Sequence, residues 1–192
     1  MALSSLEEIA NFIVADGKGI LAADESNPTC GKRFDTIGVE STEESRRDYR
    51  EMLFRSKGMK GNIGGVILYD EDLEIGGDGT RNIESPAQVK ELISQLQDHS
   101  EQPLLISVDQ EGGQVHRLKS VYGFEATPSW QHIGVLNNPL MTEQFAKTMA
   151  STLSDMGINL NFAPVLDLDH GQDTVISDSE RAFSTDTQAI IE

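Results

Sequence analysis

The sequence predicts an α/β fold, a partial (β/α) TIM-type barrel of about four parallel strands with flanking helices: a half-barrel. Three observations carry this reading. Short apolar runs alternate along the chain with longer segments of helical periodicity. Each apolar run is continuous rather than alternating, as strands buried on both faces of a parallel sheet require. A carboxylate stands just after each run, at Asp24, Asp70, Asp109 and Asp167, the strand end at which barrels of this kind carry their sites. A closed barrel has eight strands and typically about 250 residues. The 192 residues here set the expectation at a single half-barrel domain.

Each element follows from a local signal. Leu6, Ile9, Phe12 and Ile13 recur at helical spacing and predict a first helix that ends before Asp16-Gly17. The run Gly19–Ala23 predicts the first strand, ending at Asp24-Glu25-Ser26. A short helix is expected around Lys32–Ile37. Ser41-x-x-Glu44 reads as a capping box for a charged helix reaching about Arg55. Ile63–Tyr69 predicts the second strand, ending on Asp70-Glu71, and residues 72–84, with Gly76, Gly77 and Gly79, read as a loop. Ser85-Pro86-Ala87-Gln88 combines an N-cap, a proline in the first turn and a glutamine three residues after the cap, the start of a helix to Asp98. Pro103–Val108 predicts the third strand, followed by a long loop past Trp130. Residues 140–156 read as a helix closed by Gly157, and Asn159–Leu166 as the fourth strand. Thr185-x-x-Gln188 reads as a capping box for a last helix.

Composition narrows the function. The chain has 15 Lys+Arg against 32 Asp+Glu, a net charge of −17. Nucleic acid and anionic membrane surfaces are excluded as partners, because a phosphate-binding face needs clustered cations. Cys30 is the only cysteine, so no intrachain disulfide framework exists. No run approaches the ~18 apolar residues of a membrane span. No signal peptide is visible, which sets a cytoplasmic location as the expectation. No His/Cys cluster has metal-ligand spacing, so neither a metal nor another cofactor is expected. A four-stranded parallel sheet leaves two edges open to pairing, and the expected partner is a second copy of the chain, a homodimer through those edges.

Residues 1 to about 72 resemble bacterial class I fructose-bisphosphate aldolases. The resemblance rests on Asp16–Cys30 (Asp-Gly-Lys-Gly-Ile-Leu-Ala-Ala-Asp-Glu-Ser-Asn-Pro-Thr-Cys), Lys32-Arg33-Phe34, Glu44–Arg50 and Gly64–Glu71. It implies that Asp24 matches the aspartate beside the Schiff-base lysine, and that Ser26, Lys32 and Arg33 match positions near a substrate phosphate. The lysine itself lies on a later strand in that family and has no match here. Lys90, Lys119 and Lys147 do not fall at predicted strand ends.

From about residue 79 onward the chain resembles the N-terminal barrel of family 3 glycoside hydrolases, on the β-N-acetylhexosaminidase side. The matching text is Arg81–Pro86, Leu105–Leu118 with its Asp-Gln-Glu-Gly-Gly run, Gly157–Asp167 with Asn-Phe-Ala-Pro-Val-Leu-Asp, and Arg181–Asp186. The resemblance implies that Asp109, Arg117 and Arg181 hold sugar hydroxyls. A carboxylate accepts paired hydrogen bonds from vicinal hydroxyls, and arginine donates them in a fixed fork. The family's nucleophilic aspartate and its catalytic histidine have no match, so the catalytic residues are unassigned. His116 and His170 lie near strand ends as candidate proton donors, with a structural role as the other reading. Trp130 and Phe124 could stack on a sugar ring or pack in the core.

The join falls near residues 64–80, giving an aldolase-like part at 1–72 and a glycosidase-like part at 73–192. Such an order reads as that of a recombined or designed (β/α) chimera, with a natural chain as the other reading. Residues 1–72 carry a net charge of −5 and the remainder −12, which suits a small neutral sugar better than a bisphosphate. The leading expectation is a carbohydrate-recognising, catalytically incomplete glycoside hydrolase-like half-barrel. An aldolase-like lyase and a non-catalytic scaffold are the alternatives.

Overall fold

The computed structural model describes residues 5–13, 15–22, 27–70, 82–100, 103–171 and 174–191. Four strands, β1 (Gly19–Ala22), β2 (Ile63–Ile67), β3 (Leu105–Val108) and β4 (Leu160–Asn161), form one sheet in the order β1-β2-β3-β4. All three pairings are parallel. Among the described residues β1 and β4 are the edges of an unclosed sheet. The α/β half-barrel expected from the sequence is therefore the fold observed.

The continuous apolar runs are explained by burial. All of β3 is buried, and so are Gly64, Gly65 and Val66 in β2. The edges differ: Ile20 in β1 and Phe162 just after β4 are exposed. In β2, Gly65 sits opposite Leu105. A Cβ there would stand 2.8 Å from the Leu105 carbonyl oxygen and 3.0 Å from its Cβ, so glycine is what lets the two strands approach.

The helices are set by their caps. Helix α1 (Leu6–Ile13) opens with a reciprocal pair in which Glu8 N–H donates to Ser5 Oγ and Ser5 N–H to Glu8 Oε2. Helix α2 (Asn27–Asp35) begins earlier than its sequence signal at Lys32. Helix α3 (Glu43–Arg55) is capped by Thr42 with Ser45, one residue later than the Ser41/Glu44 box read from the sequence. The Ser41 carbonyl is used instead by the Arg46 guanidinium, at 2.9 Å. A short helix, α4 (Met59–Asn62), leads into β2. Helix α5 (Pro86–Asp98) starts as expected, with Gln88 N–H donating to Ser85 Oγ; the Gln88 side-chain Oε1 in turn accepts from Glu84 N–H.

Helix α6 (Trp130–Leu136), capped by Ser129, falls where the sequence reads as loop, and helix α8 (Val175–Asp178), capped by Thr174, where no element is read. Helix α7 (Pro139–Met156) ends at Gly157 in the left-handed region, φ 89°. Helix α9 (Thr187–Ile191) starts at Asp186, whose carboxylate accepts from Gln188 N–H, so the Thr185 box is replaced by an aspartate turn.

The core sits between the sheet and the helices that follow β2 and β3. It joins Val66 and Leu68 to Val89 and Ile93 of α5, Ile106 and Val108 of β3, and Met149, Leu153 and Met156 of α7. Phe124 belongs to this core, which decides its role as packing. Cys30 and Phe34 of α2 are buried, and the Phe34 ring meets Tyr49 of α3 edge-on at 5.6 Å.

The fourth strand departs most from its sequence reading. Where Asn159–Leu166 reads as one strand, only Leu160 and Asn161 ladder onto β3. Backbone bonds from Asn159 N–H to the Ile106 carbonyl and from Phe162 N–H to the Val108 carbonyl flank this ladder, and side chains reinforce it. Asn159 accepts from Ile106 N–H and donates to the Leu104 carbonyl, and Asn161 does the same with N–H and carbonyl of Gln110. Beyond them Leu166 is exposed.

Candidate functional site at the strand ends

The C-terminal ends of β2 and β3 bring charged side chains together. Asp70, two residues past Leu68, is completely buried. Its carboxylate lies 2.9 Å from Lys119 Nζ and 3.5 Å from the Arg117 guanidinium. Neither oxygen meets hydrogen-bond geometry with these cations, so the attraction is one of charge more than of directed bonds. Arg117 is also 3.5 Å from Asp109, which follows β3 directly, and its guanidinium lies 4.0 Å from the centre of the Tyr69 ring, a cation–π stack.

The loop after β3 aims this arginine. Gln110 Oε1 accepts from both Arg117 N–H and Leu118 N–H, at 2.9 and 3.0 Å. Glu111 N–H and Gly112 N–H both donate to the Val115 carbonyl, closing the tight turn that carries Gly112 and Gly113.

Arg181 reaches the same neighbourhood from the far end of the chain. Its Nε and one terminal nitrogen donate to the two oxygens of Glu111, each at 2.8 Å, the bidentate fork that arginine is built for. These bonds hold the guanidinium above its usual range, and the Asp109 and Asp167 carboxylates act in the same direction. Asp169 fastens the adjoining segment: it accepts from Ser177 Oγ, Gly171 N–H and Gln131 Nε2, and its acidity is strengthened chiefly by the Ser177 bond.

His116 is half-buried beside Lys119, and its Nδ1 is buried without a hydrogen-bond partner among the described residues. Burial pushes its pKa down, and the Lys119 and Arg117 charges add to this against the opposing pull of Asp70. His170 is exposed.

The structure thus gathers Asp109, Arg117 and Arg181, the three residues read as sugar ligands. Lys32 and Arg33 stand on the exposed side of α2, lining a shallow depression with Thr29, Thr36 and Tyr49. Asp24, Ser26 and the glycine-rich stretch at 76–79 lie outside the described residues. Three participants were missed from the sequence. Glu111 was in plain view inside the Asp-Gln-Glu-Gly-Gly run, Gln110 beside it, and Lys119 was set aside because it is not at a strand end. Chemically, the group can accept hydrogen bonds from vicinal hydroxyls at Asp109 and donate them from Arg117 and Arg181. Among the described residues, no group of three His, Cys, Asp or Glu is placed to hold a metal ion, and no helix is long and apolar enough to cross a membrane.

Comparison with known proteins joins this geometry to two families. The family model of fructose-bisphosphate aldolase class-I matches residues 5–110, more than half of the chain. The chain belongs to the class I fructose-bisphosphate aldolase family. The aldolase of Drosophila melanogaster is 61% identical over 69 residues, which are 35% of this chain and 19% of that protein. A β-hexosaminidase of Methylobacillus flagellatus is 38% identical over 165 residues, 83% of this chain and 41% of that enzyme. NagZ of Neisseria gonorrhoeae, solved with N-trifluoroacetyl-D-glucosamine, superposes with a TM-score of 0.59 at 29% identity, over 78% of this chain and 39% of that one. A family 3 β-N-acetylglucosaminidase of Paenibacillus covers 98% of this chain and 29% of its own, with a TM-score of 0.61 at 25% identity.

This member of the aldolase family therefore carries a mixed aldolase and family 3 glycoside hydrolase signature. A match over 165 residues of a 192-residue chain necessarily overlaps the aldolase span 5–110. The aldolase match also runs past Glu71, the last residue of the aldolase-like motifs, to cover α5 and β3. The chain spans 41% of the length of the first β-hexosaminidase it matches.

Proposed function

We propose that the chain recognises a neutral N-acetylhexosamine-type sugar at the ends of β2 and β3 and does not complete its hydrolysis. The observation that carries this is the Asp109–Arg117 pair, 3.5 Å apart, at the end of a buried strand with Arg181 held beside it by Glu111. The carboxylates of the cluster are engaged with cations: Asp70 with Lys119 and Arg117, Glu111 with Arg181, Asp109 with Arg117. That arrangement suits holding a ring more than attacking it, since a nucleophilic carboxylate needs access to the anomeric carbon. The likeness to β-hexosaminidases supports the sugar class. We further infer that residues 1–72 and 73–192 are the aldolase-like and glycosidase-like parts of a recombined (β/α) chain, and that copies pair as a homodimer through the β1 and β4 edges, where Ile20 and Phe162 are exposed.

Calorimetric titration with N-acetylglucosamine tests the sugar reading. Saturable heat at millimolar ligand, lost in Asp109→Ala, is expected, and no heat would overturn it. A chromogenic N-acetylglucosaminide should remain intact; turnover abolished by Asp109→Ala would overturn the incompleteness. Solution mass tests the pairing, and a stable monomer would remove it.

The family match at residues 5–110 favours a second reading, a class I aldolase-like lyase with Asp24, Ser26, Lys32 and Arg33 toward a phosphorylated substrate. It requires an amine that condenses with a ketone. Lys119 is well placed by burial, yet its ammonium is committed to Asp70. Borohydride trapping with dihydroxyacetone phosphate, read as a mass gain on the chain, would establish this reading; an unchanged mass would remove it.

A further inference from the structure

A cavity separate from the strand-end cluster lies between α7 and the segment 125–133. We propose that it binds an amphiphilic organic cation, an alkylammonium or arylalkylammonium whose apolar body enters the cavity while its charged end stays at the mouth beside Glu125.

The cavity measures about 340 Å³, within the range of small-molecule sites. None of Asp70, Asp109, Arg117, Lys119 and Arg181 lines it, so the proposal is independent of sugar binding. Its wall changes character with depth. Leu118, Ile133, Met149 and Leu153 form a buried apolar floor, where a hydrocarbon body gains by leaving water. Met141 of α7 adds a second thioether to the wall, and such side chains bend to fit a guest. Glu125 and Gln144 are exposed and mark the side open to solvent.

The charge of the guest follows from the mouth. Among the described residues, Glu125 is the one charged residue in this wall, and its carboxylate takes part in no ion pair or hydrogen bond. Residues 120–146 contain no Lys or Arg, so no cation of this stretch competes for it. The net charge of −17 draws cations to the surface and repels anions. An ammonium at the mouth keeps part of its hydration, which avoids the cost of burying a charge, while the tail alone is buried.

The methyl groups of the six methionines, isotope-labelled and followed by NMR, report the site directly. Titration with hexylammonium at low ionic strength should shift the Met141 and Met149 resonances saturably and leave that of Met52, exposed on α3, in place. Affinity should fall in the order hexylammonium, hexan-1-ol, hexanoate. Glu125→Gln should reduce the preference for hexylammonium over hexan-1-ol about threefold, the scale of one exposed ion pair, with alcohol binding unchanged. Glu40→Gln makes the same change of charge in the exposed α2–α3 loop and should leave the preference at its native value. Met141 and Met149 resonances that do not move, or move without saturating, would overturn the proposal. So would an alcohol bound as tightly as the ammonium by the native chain, or an equal effect of Glu125→Gln and Glu40→Gln.

Discussion

Lys119 Nζ lies 2.9 Å from the carboxylate of Asp70, a side chain with no exposure to solvent. Asp70 belongs to the loop after β2 and Lys119 to the loop after β3, so the pair ties two strand ends together beneath the Asp109–Arg117 contact. Removing one partner of a buried pair strands the other's charge, at a cost of about 3–5 kcal/mol. Asp70→Asn should therefore lower unfolding stability by about that amount. Asp70→Leu combined with Lys119→Met should recover most of the loss. Urea denaturation measures both; a loss under about 1 kcal/mol in the single variant would place the pair at the surface-bridge level.

Gly65→Ala should destabilise the sheet by about 1–3 kcal/mol, the usual range for overfilling a packed site, because the new methyl group meets the Leu105 backbone and Cβ at 2.8–3.0 Å. Gly61→Ala is the internal control, since nothing lies within 4 Å of its added Cβ. Thermal melts of the two variants should separate them clearly, and equal melting temperatures would contradict the close approach of β2 and β3.

His116 gives the stability a pH dependence of definite sign. Its folded pKa is lowered by burial and by Lys119, while the unfolded chain titrates near about 6.5. Above that value the imidazole is neutral in both states and imposes no penalty. As pH falls through it, the unfolded chain takes up a proton that the folded chain refuses, so stability declines until the folded value is passed. Denaturation between pH 7.5 and 5 should show a shallower decline in His116→Gln than in the native chain. Parallel profiles would count against a depressed histidine.

The parts of the fold that could be read from the sequence are those written by burial. The runs at 63–69 and 103–108 are apolar because β2 and β3 are covered on both faces. The run at 159–166 misled because only its first residues pair with β3, Asn159 and Asn161 adding side-chain bonds to the backbone ones, while Phe162 and Leu166 face solvent. The α3 cap reads as Ser41 with Glu44; the observed box, Thr42 with Ser45, lacks the Glu or Gln that marks such a box in sequence, so only the backbone path reveals it. At the site, Asp109, Arg117 and Arg181 were legible through motif resemblance. The Asp70–Lys119 pair was not, since it joins residues 49 positions apart and no local spacing records which loops return to the same place.

A primary amide presents a donor and an acceptor much as a peptide group does, so Asn159 and Asn161 act as two further peptide units laid along β3. A strand of two laddered residues would ordinarily be free to slip. Here a slip by one residue would break both amide clasps at once. Through Gln110 it would also slacken the bonds that hold the Arg117 and Leu118 N–H groups. The aim of the Arg117 guanidinium is thus a readout of whether the last strand is in step with its neighbour.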